Sequence, residues 1–145
     1  MKKILLLLLS IFLLISCAED KVWHTNLEEA IEVAKNEDKP ILLQFSGSDW
    51  CKWCIKLNDE VMFKEEFLDY AKENIILVNL DFPRSIEQTV EKKEYNRTLA
   101  NKYGIKGFPT VLLLDKNADV VLQTGYQPGG PLAYIQHIKQ AYSKN

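Results

Sequence analysis

The chain has 145 residues and a formal net charge of −2, with 26% of its residues charged and 47% apolar. These values fit one soluble domain of ordinary size and speak against nucleic acid as a main partner. The chain has no Gly- or Pro-rich tract, acidic tail or internal repeat to suggest a second domain.

Met1-Lys2-Lys3 is positive, and Ile4 to Ile15 is apolar except for Ser10. A helix of that length spans about 18 Å, short of the ~30 Å hydrocarbon core. The segment therefore reads as a secretory signal rather than a membrane-spanning helix, and it has too few polar residues for a helix of the domain. Leu14-Ile15-Ser16-Cys17 resembles the bacterial lipobox, which makes Cys17 the expected lipidated N-terminus. The alternative is an ordinary cleaved signal, with Cys17 lost or left as a spare thiol. Residues 1–17 are thus expected to be signal peptide, 18–22 a short linker, and 23–145 the domain. Removing 1–17 takes away Lys2 and Lys3, leaving 16 basic and 20 acidic residues and a net charge of −4. An acidic chain has no electrostatic attraction to an anionic membrane, so the anchor has to be two or more acyl chains. Ala18 stands where the enterobacterial inner-membrane retention signal has Asp, which favours the outer membrane. The expected location is the periplasm-facing envelope, a compartment that permits disulfides.

Thr25 and Glu28 form a candidate capping box, followed by Leu27, Ala30, Ile31 and Ala34 at helical spacing. Ile41-Leu42-Leu43-Gln44-Phe45 suits a strand buried on both faces. Ser46-Gly47-Ser48-Asp49 is a loop by composition. A helix is expected from Cys51, with Cys54, Ile55, Leu57, Val61 and Met62 inward, and another over Lys64 to Lys72. Ile75 to Leu80 is a second strand. Most of Ser85 to Tyr103 is expected to be helix, supported by Ile86, Val90, Leu99 and Ala100 and capped by Gly104. Thr110 to Leu114 and Val120 to Thr124 form a hairpin across the turn Asp115 to Ala118. Pro131 opens a last helix packed through Leu132, Ile135 and Ile138. The first two strands are expected to be parallel through a right-handed crossover.

Cys51 and Cys54 stand two residues apart in Trp50-Cys51-Lys52-Trp53-Cys54. A disulfide between them closes a very small loop, a poor position for a brace on the chain-entropy account. A structural zinc site needs four ligands, and His24 and His137 are single, remote from each other and not at finger spacing. Redox exchange suits the pattern better. A strand, short loop and helix place Cys51 at a helix N-terminus, where unpaired N–H groups favour a thiolate. Lys52 adds a nearby cation. Cys54, one turn on, is spaced to attack a mixed disulfide on Cys51.

Three features give the chain a resemblance to the thioredoxin superfamily from Trp23 to about Tyr142. They are the Trp50-to-Cys54 motif after an apolar strand, Tyr103-Gly104-Ile105-Lys106-Gly107-Phe108-Pro109-Thr110 before the third strand, and Gly125-Tyr126 after the fourth. Lys39-Pro40-Ile41-Leu42-Leu43-Gln44-Phe45 and the Asp49-Trp50-Cys51 run resemble secreted thioredoxin-like lipoproteins and the C-terminal periplasmic domain of the transmembrane thiol:disulfide interchange protein. The resemblance implies an α/β thioredoxin fold with a central mixed four-stranded sheet flanked by helices. It implies that Cys51 attacks a substrate disulfide and Cys54 resolves it. Trp50, Phe108 and Pro109 would shape the substrate groove, with a cis Phe108–Pro109 bond. No cofactor or metal is implied. The implied partners are protein or peptide disulfides and a membrane electron donor, and the implied state is a monomer that reduces or isomerises disulfides. A peptide-binding module with a permanently oxidised pair is the alternative.

Two departures from thioredoxin bear on tuning. Gln44 stands in place of the buried aspartate before the cysteines, and Gln cannot act as a base. Leu77 stands near the position of its lysine partner. Glu60 or water is then left to move the proton. Lys52-Trp53 replaces thioredoxin's Gly-Pro. A cation that stabilises the Cys51 thiolate raises the potential above thioredoxin's.

Overall fold

The structure, a computed structural model, describes residues 22–143. The expected signal segment and Cys17 lie outside the described residues. In chain order the elements are β1 (Trp23–His24), α1 (Leu27–Glu37), β2 (Ile41–Ser46), α2 (Lys52–Leu57), a π-helical turn (Asn58–Met62), α3 (Glu65–Asn74), β3 (Ile76–Asp81), α4 (Val90–Lys102), β4 (Thr110–Leu114), β5 (Val120–Thr124) and α5 (Gly130–Tyr142). The sheet order is β1-β3-β2-β4-β5. β2 runs parallel to β3 and antiparallel to β4, and β5 completes an antiparallel hairpin at one edge. The sheet is therefore mixed, as expected, with five strands instead of four. The added strand is β1, which pairs in parallel with β3 through Trp23 and His24. Two residues are too few to show the alternation that marks a strand.

β2 and β4 are buried throughout, which explains their unbroken apolar runs. Side chains alternate across the sheet. Leu42 faces Leu57, Met62, Phe67, Tyr134 and Ile138, whereas Leu43 and Phe45 face Leu27, Ala30, Ala34 and Leu99. α1 and α4 therefore cover one face, and α2, the π-helical turn, α3 and α5 cover the other. Gln44 and Ser46 share Leu42's side, so β2 presents two polar residues to the layer that carries the cysteines.

Several local expectations are corrected. The cap of α1 is Asn26, whose side chain accepts the Glu29 N–H at 2.8 Å, and Glu28 instead accepts the Tyr95 hydroxyl at 2.6 Å. A long-range partner has taken the glutamate that would have closed the box. Ile86 precedes α4 and is exposed, as is Val90 in its first turn; α4 starts at the Thr89 cap and buries Asn96 and Leu99. Ile55 and Leu132 are also exposed, because Cys54 and Leu57 fill the inner side of α2, and Tyr134, Ile135 and Ile138 that of α5. Gly104 follows α4 with φ +63°, and Pro131 lies in the first turn of α5, both as expected.

Candidate redox site

β2 aims the chain at the site. Its pairing with β4 ends at Phe45 opposite Thr110, so Pro109 lies at the level of Ser46, where the cysteine loop begins. The loop turns on Gly47, whose carbonyl accepts the N–H groups of Trp50 and Cys51, at 3.4 and 2.9 Å. Cys51 is the N-cap of α2, and its Sγ accepts the Cys54 N–H at 3.2 Å. The Gly47 N–H points at Cys54 Sγ, 3.4 Å away. Cys51 and Cys54 are joined as a disulfide. Cys51 keeps 5% of its surface exposed and Cys54 none, so an incoming sulfur meets Cys51 first. At a helix start the free N–H groups stabilise negative charge, which favours a thiolate there once the pair is reduced.

Two aromatic ledges flank the pair. On one side the Trp50 indole lies against Gly47 and donates from Nε1 to the Phe82 carbonyl at 2.7 Å. Its ring meets Phe108 at 5.9 Å, and Phe108 meets Phe82 at 4.9 Å. Phe108–Pro109 is a cis peptide. On the other side the exposed Trp53 packs on Tyr126 at 5.3 Å. The Tyr126 hydroxyl donates to Glu60 at 2.5 Å, and Lys56 donates to the same carboxylate. These contacts hold Glu60 below the usual carboxylate range, through Lys56 first and Tyr126 second, and push Lys56 and Tyr126 up. A carboxylate so engaged is a weak base, which argues against Glu60 as the group that moves the Cys54 proton.

Gln44 is buried on β2 and donates from Nε2 to Asn58 Oδ1 at 2.9 Å. Asn58 stands one turn after Cys54 on the same helical path. A neutral amide pair therefore occupies the place beneath the cysteines where the resemblance implied a carboxylate. Leu77 is buried in the same layer, and Lys52 is exposed at the first position of α2.

The structure thus brings together Cys51, Cys54, Trp50, Lys52, Phe108 and Pro109, with Gln44 underneath. Three participants escaped sequence reasoning. Asn58 had a signal, since i and i+4 share a helix face. Asp49 and Arg84 had none. Asp49 accepts the N–H groups of Arg84, Ser85 and Ile86 at 2.9, 2.6 and 3.2 Å, and these amides, Arg84's first, hold its carboxyl below the usual range. The Arg84 guanidinium lies 3.8 Å above the Trp50 ring. Among the described residues no group of three or more His, Cys, Asp or Glu is placed to hold a metal ion. His24 lies 4.0 Å from Glu29, and His137 is bonded to Thr124 at 3.0 Å.

A Cys-x-x-Cys pair at a helix start, beside a cis-proline on a mixed sheet, defines a thiol–disulfide oxidoreductase of the thioredoxin fold. The chain belongs to the thioredoxin-like domain family, whose model matches residues 27–139. It is 38% identical over 113 residues to the disulfide bond reductase DsbH of Chlamydia pneumoniae, a match that takes in 78% of this chain and 68% of that one. A solved structure of a DsbH oxidoreductase superposes with a TM-score of 0.79 at 36% identity, over 85% of each chain. The C-terminal domain of Neisseria meningitidis DsbD, in its oxidised form, shares the fold with a TM-score of 0.59 at 18% identity, over 82% of this chain and 98% of that one.

Proposed function

We propose that this protein is an envelope reductase of protein disulfides, held to the membrane through a lipidated Cys17. The observation that carries the redox part is the asymmetry of the pair, with Cys51, 5% exposed, on the helix cap and Cys54 fully buried one turn behind it. In the reduced form the Cys51 thiolate attacks one sulfur of a substrate disulfide. The substrate S–S bond breaks, and its other sulfur leaves as a thiolate and takes a proton. Cys54, on losing its proton, attacks Cys51 Sγ, releases the second substrate thiol and restores the Cys51–Cys54 disulfide. Two electrons have then moved to the substrate, and a membrane electron donor must return them to the protein. Trp50, Phe108 and Pro109 form the wall against which the substrate chain lies. The reducing direction is supported by the likeness to DsbH, which is named a disulfide bond reductase. The envelope setting rests on the signal segment and lipobox.

Removing the resolving thiol tests the cycle. Cys54→Ser should accumulate mixed disulfides with substrate, and Cys51→Ser should not. Equilibration of the native pair with glutathione or dithiothreitol sets the direction. A potential near −270 mV, about that of thioredoxin, marks a reductase, and one toward roughly −120 to −180 mV marks an isomerase or oxidant. A pair that never exchanges would leave a peptide-binding module as the reading.

A further inference from the structure

We propose that Arg84, laid on the Trp50 indole, is an anion-reading arm of the substrate groove, so that the preferred substrates are polypeptide disulfides with an acidic residue next to the reactive cysteine. This rests on the thiol–disulfide reading of the site and adds a substrate class to it.

Trp50 is the residue before Cys51, and its ring carries the Arg84 guanidinium at 3.8 Å. Arg84 is exposed, and none of the ion pairs among the described residues uses it. A guanidinium over an indole face keeps N–H donors that can still bond a ligand. That planar fork matches a carboxylate better than a lysine does. The arm is also held in place. Asp49 binds the backbone N–H groups of Arg84, Ser85 and Ile86, and the Trp50 Nε1–H holds the Phe82 carbonyl. Asp81 accepts both the Ser48 N–H and the Ser48 hydroxyl, at 2.9 and 2.6 Å. Segment 81–86 is thus stitched to the cysteine loop at Ser48, Asp49 and Trp50.

The charges around this rim agree. The carboxylates tied to it are already committed: Asp49 to three amides, Asp81 to Ser48, and Glu60 to Lys56 and Tyr126. The exposed cations Lys52 and Lys106 flank the sequence positions of Cys51 and Phe108. The whole chain is net acidic, so a preference for acidic neighbours would come from Arg84 and not from the average charge.

The test uses the detergent-solubilised full chain, with dithiothreitol supplying electrons. Three disulfide-closed peptides are compared that differ only in Glu, Gln or Lys beside each cysteine. The Cys51 thiolate repels acidic peptides in every variant, so the quantity compared is the ratio of kcat/KM for the Glu and Lys peptides. Arg84→Met should lower that ratio about three- to tenfold, and Arg84→Lys should lower it less. Salt at about 0.5 M should shrink the difference between wild type and Arg84→Met. An unchanged ratio in Arg84→Met overturns the acidic preference while leaving the redox reading intact. No reduction of any of the three peptides by the wild type overturns both.

Discussion

A methyl group on Gly47 would lie 2.6 to 2.8 Å from three atoms of the Trp50 indole, closer than real Cβ atoms come. The Nε1 at that contact also donates to the Phe82 carbonyl and the ring meets Phe108, so it cannot yield without disturbing those contacts. Gly47→Ala should therefore cost about 1–3 kcal/mol, the range for overpacking, and shift the Trp50 fluorescence. Unaltered stability and emission would mean that the indole is free to move. Asp49 acts on the same ledge through charge. Its carboxyl lies low because the Arg84 and Ser85 amides, foremost, stabilise the ionised form. A depressed native pKa gives stability that is complete above the unfolded value of about 3.9 and is lost as pH falls through the native one. Asp49→Asn should thus lower Tm at neutral pH, and the gap should narrow as pH falls and close once Asp49 is protonated in both the folded and unfolded chain. The group is open to solvent, so the shift will be modest. A gap that persists in acid would assign the effect to packing.

At the scale of elements, the contact between β2 and the helical layer is polar at one point. Gln44→Leu would leave Asn58 Oδ1 buried without its donor, at a cost of about 1–3 kcal/mol. Gln44 Oε1 is already buried with no hydrogen-bond partner among the described residues. Replacing both amides, in Gln44→Leu with Asn58→Leu, removes every one of these groups together. The double variant should then be more stable than the sum of the single losses, by at least about 1 kcal/mol in denaturant unfolding. Strict additivity would show that the amides do not act as a pair. This contact also marks where the sequence stops being readable. β2 and β4 were legible because burial on both faces leaves an uninterrupted apolar run, and the cysteines because both lie within one helical turn. The change from α2 to a π-helical turn at Asn58 was not, since the apolar spacing of Leu57, Val61 and Met62 passes through it unchanged. The link from Asp49 to Arg84 joins residues 35 apart, and no local pattern reports a hydrogen bond to a distant backbone. The α1 cap slipped by one residue because Asn26, adjacent to Thr25, is an equally good cap and Glu28 had a partner in Tyr95.

For the whole molecule the prediction concerns the proposed attachment to a membrane. No helix among the described residues is long and apolar enough to cross one. The domain after Cys17 carries a net charge of −4, from 16 basic and 20 acidic residues, so anionic lipid repels it on average. The linker 18–22 is too short to carry a polybasic patch, and its one cation, Lys21, is outnumbered by Glu19 and Asp20. The proposed anchor is therefore acyl chains on Cys17, and it can be told from attachment by charge. Each buried methylene contributes about 0.8 kcal/mol, so two or more chains hold firmly where one does not. The two mechanisms differ in their response to salt, because Debye screening weakens charge attraction and leaves hydrocarbon burial intact. The chain should therefore sediment with membranes, stay there through a wash at about 1 M salt, and be released by detergent. Cys17→Ala should abolish acylation and remove the protein from the washed membranes, if the signal is still cut, or leave it held by the uncut segment as a heavier species. Release of the native chain by salt alone, with Cys17 unmodified in its mass spectrum, would overturn the lipid anchor without touching the redox site.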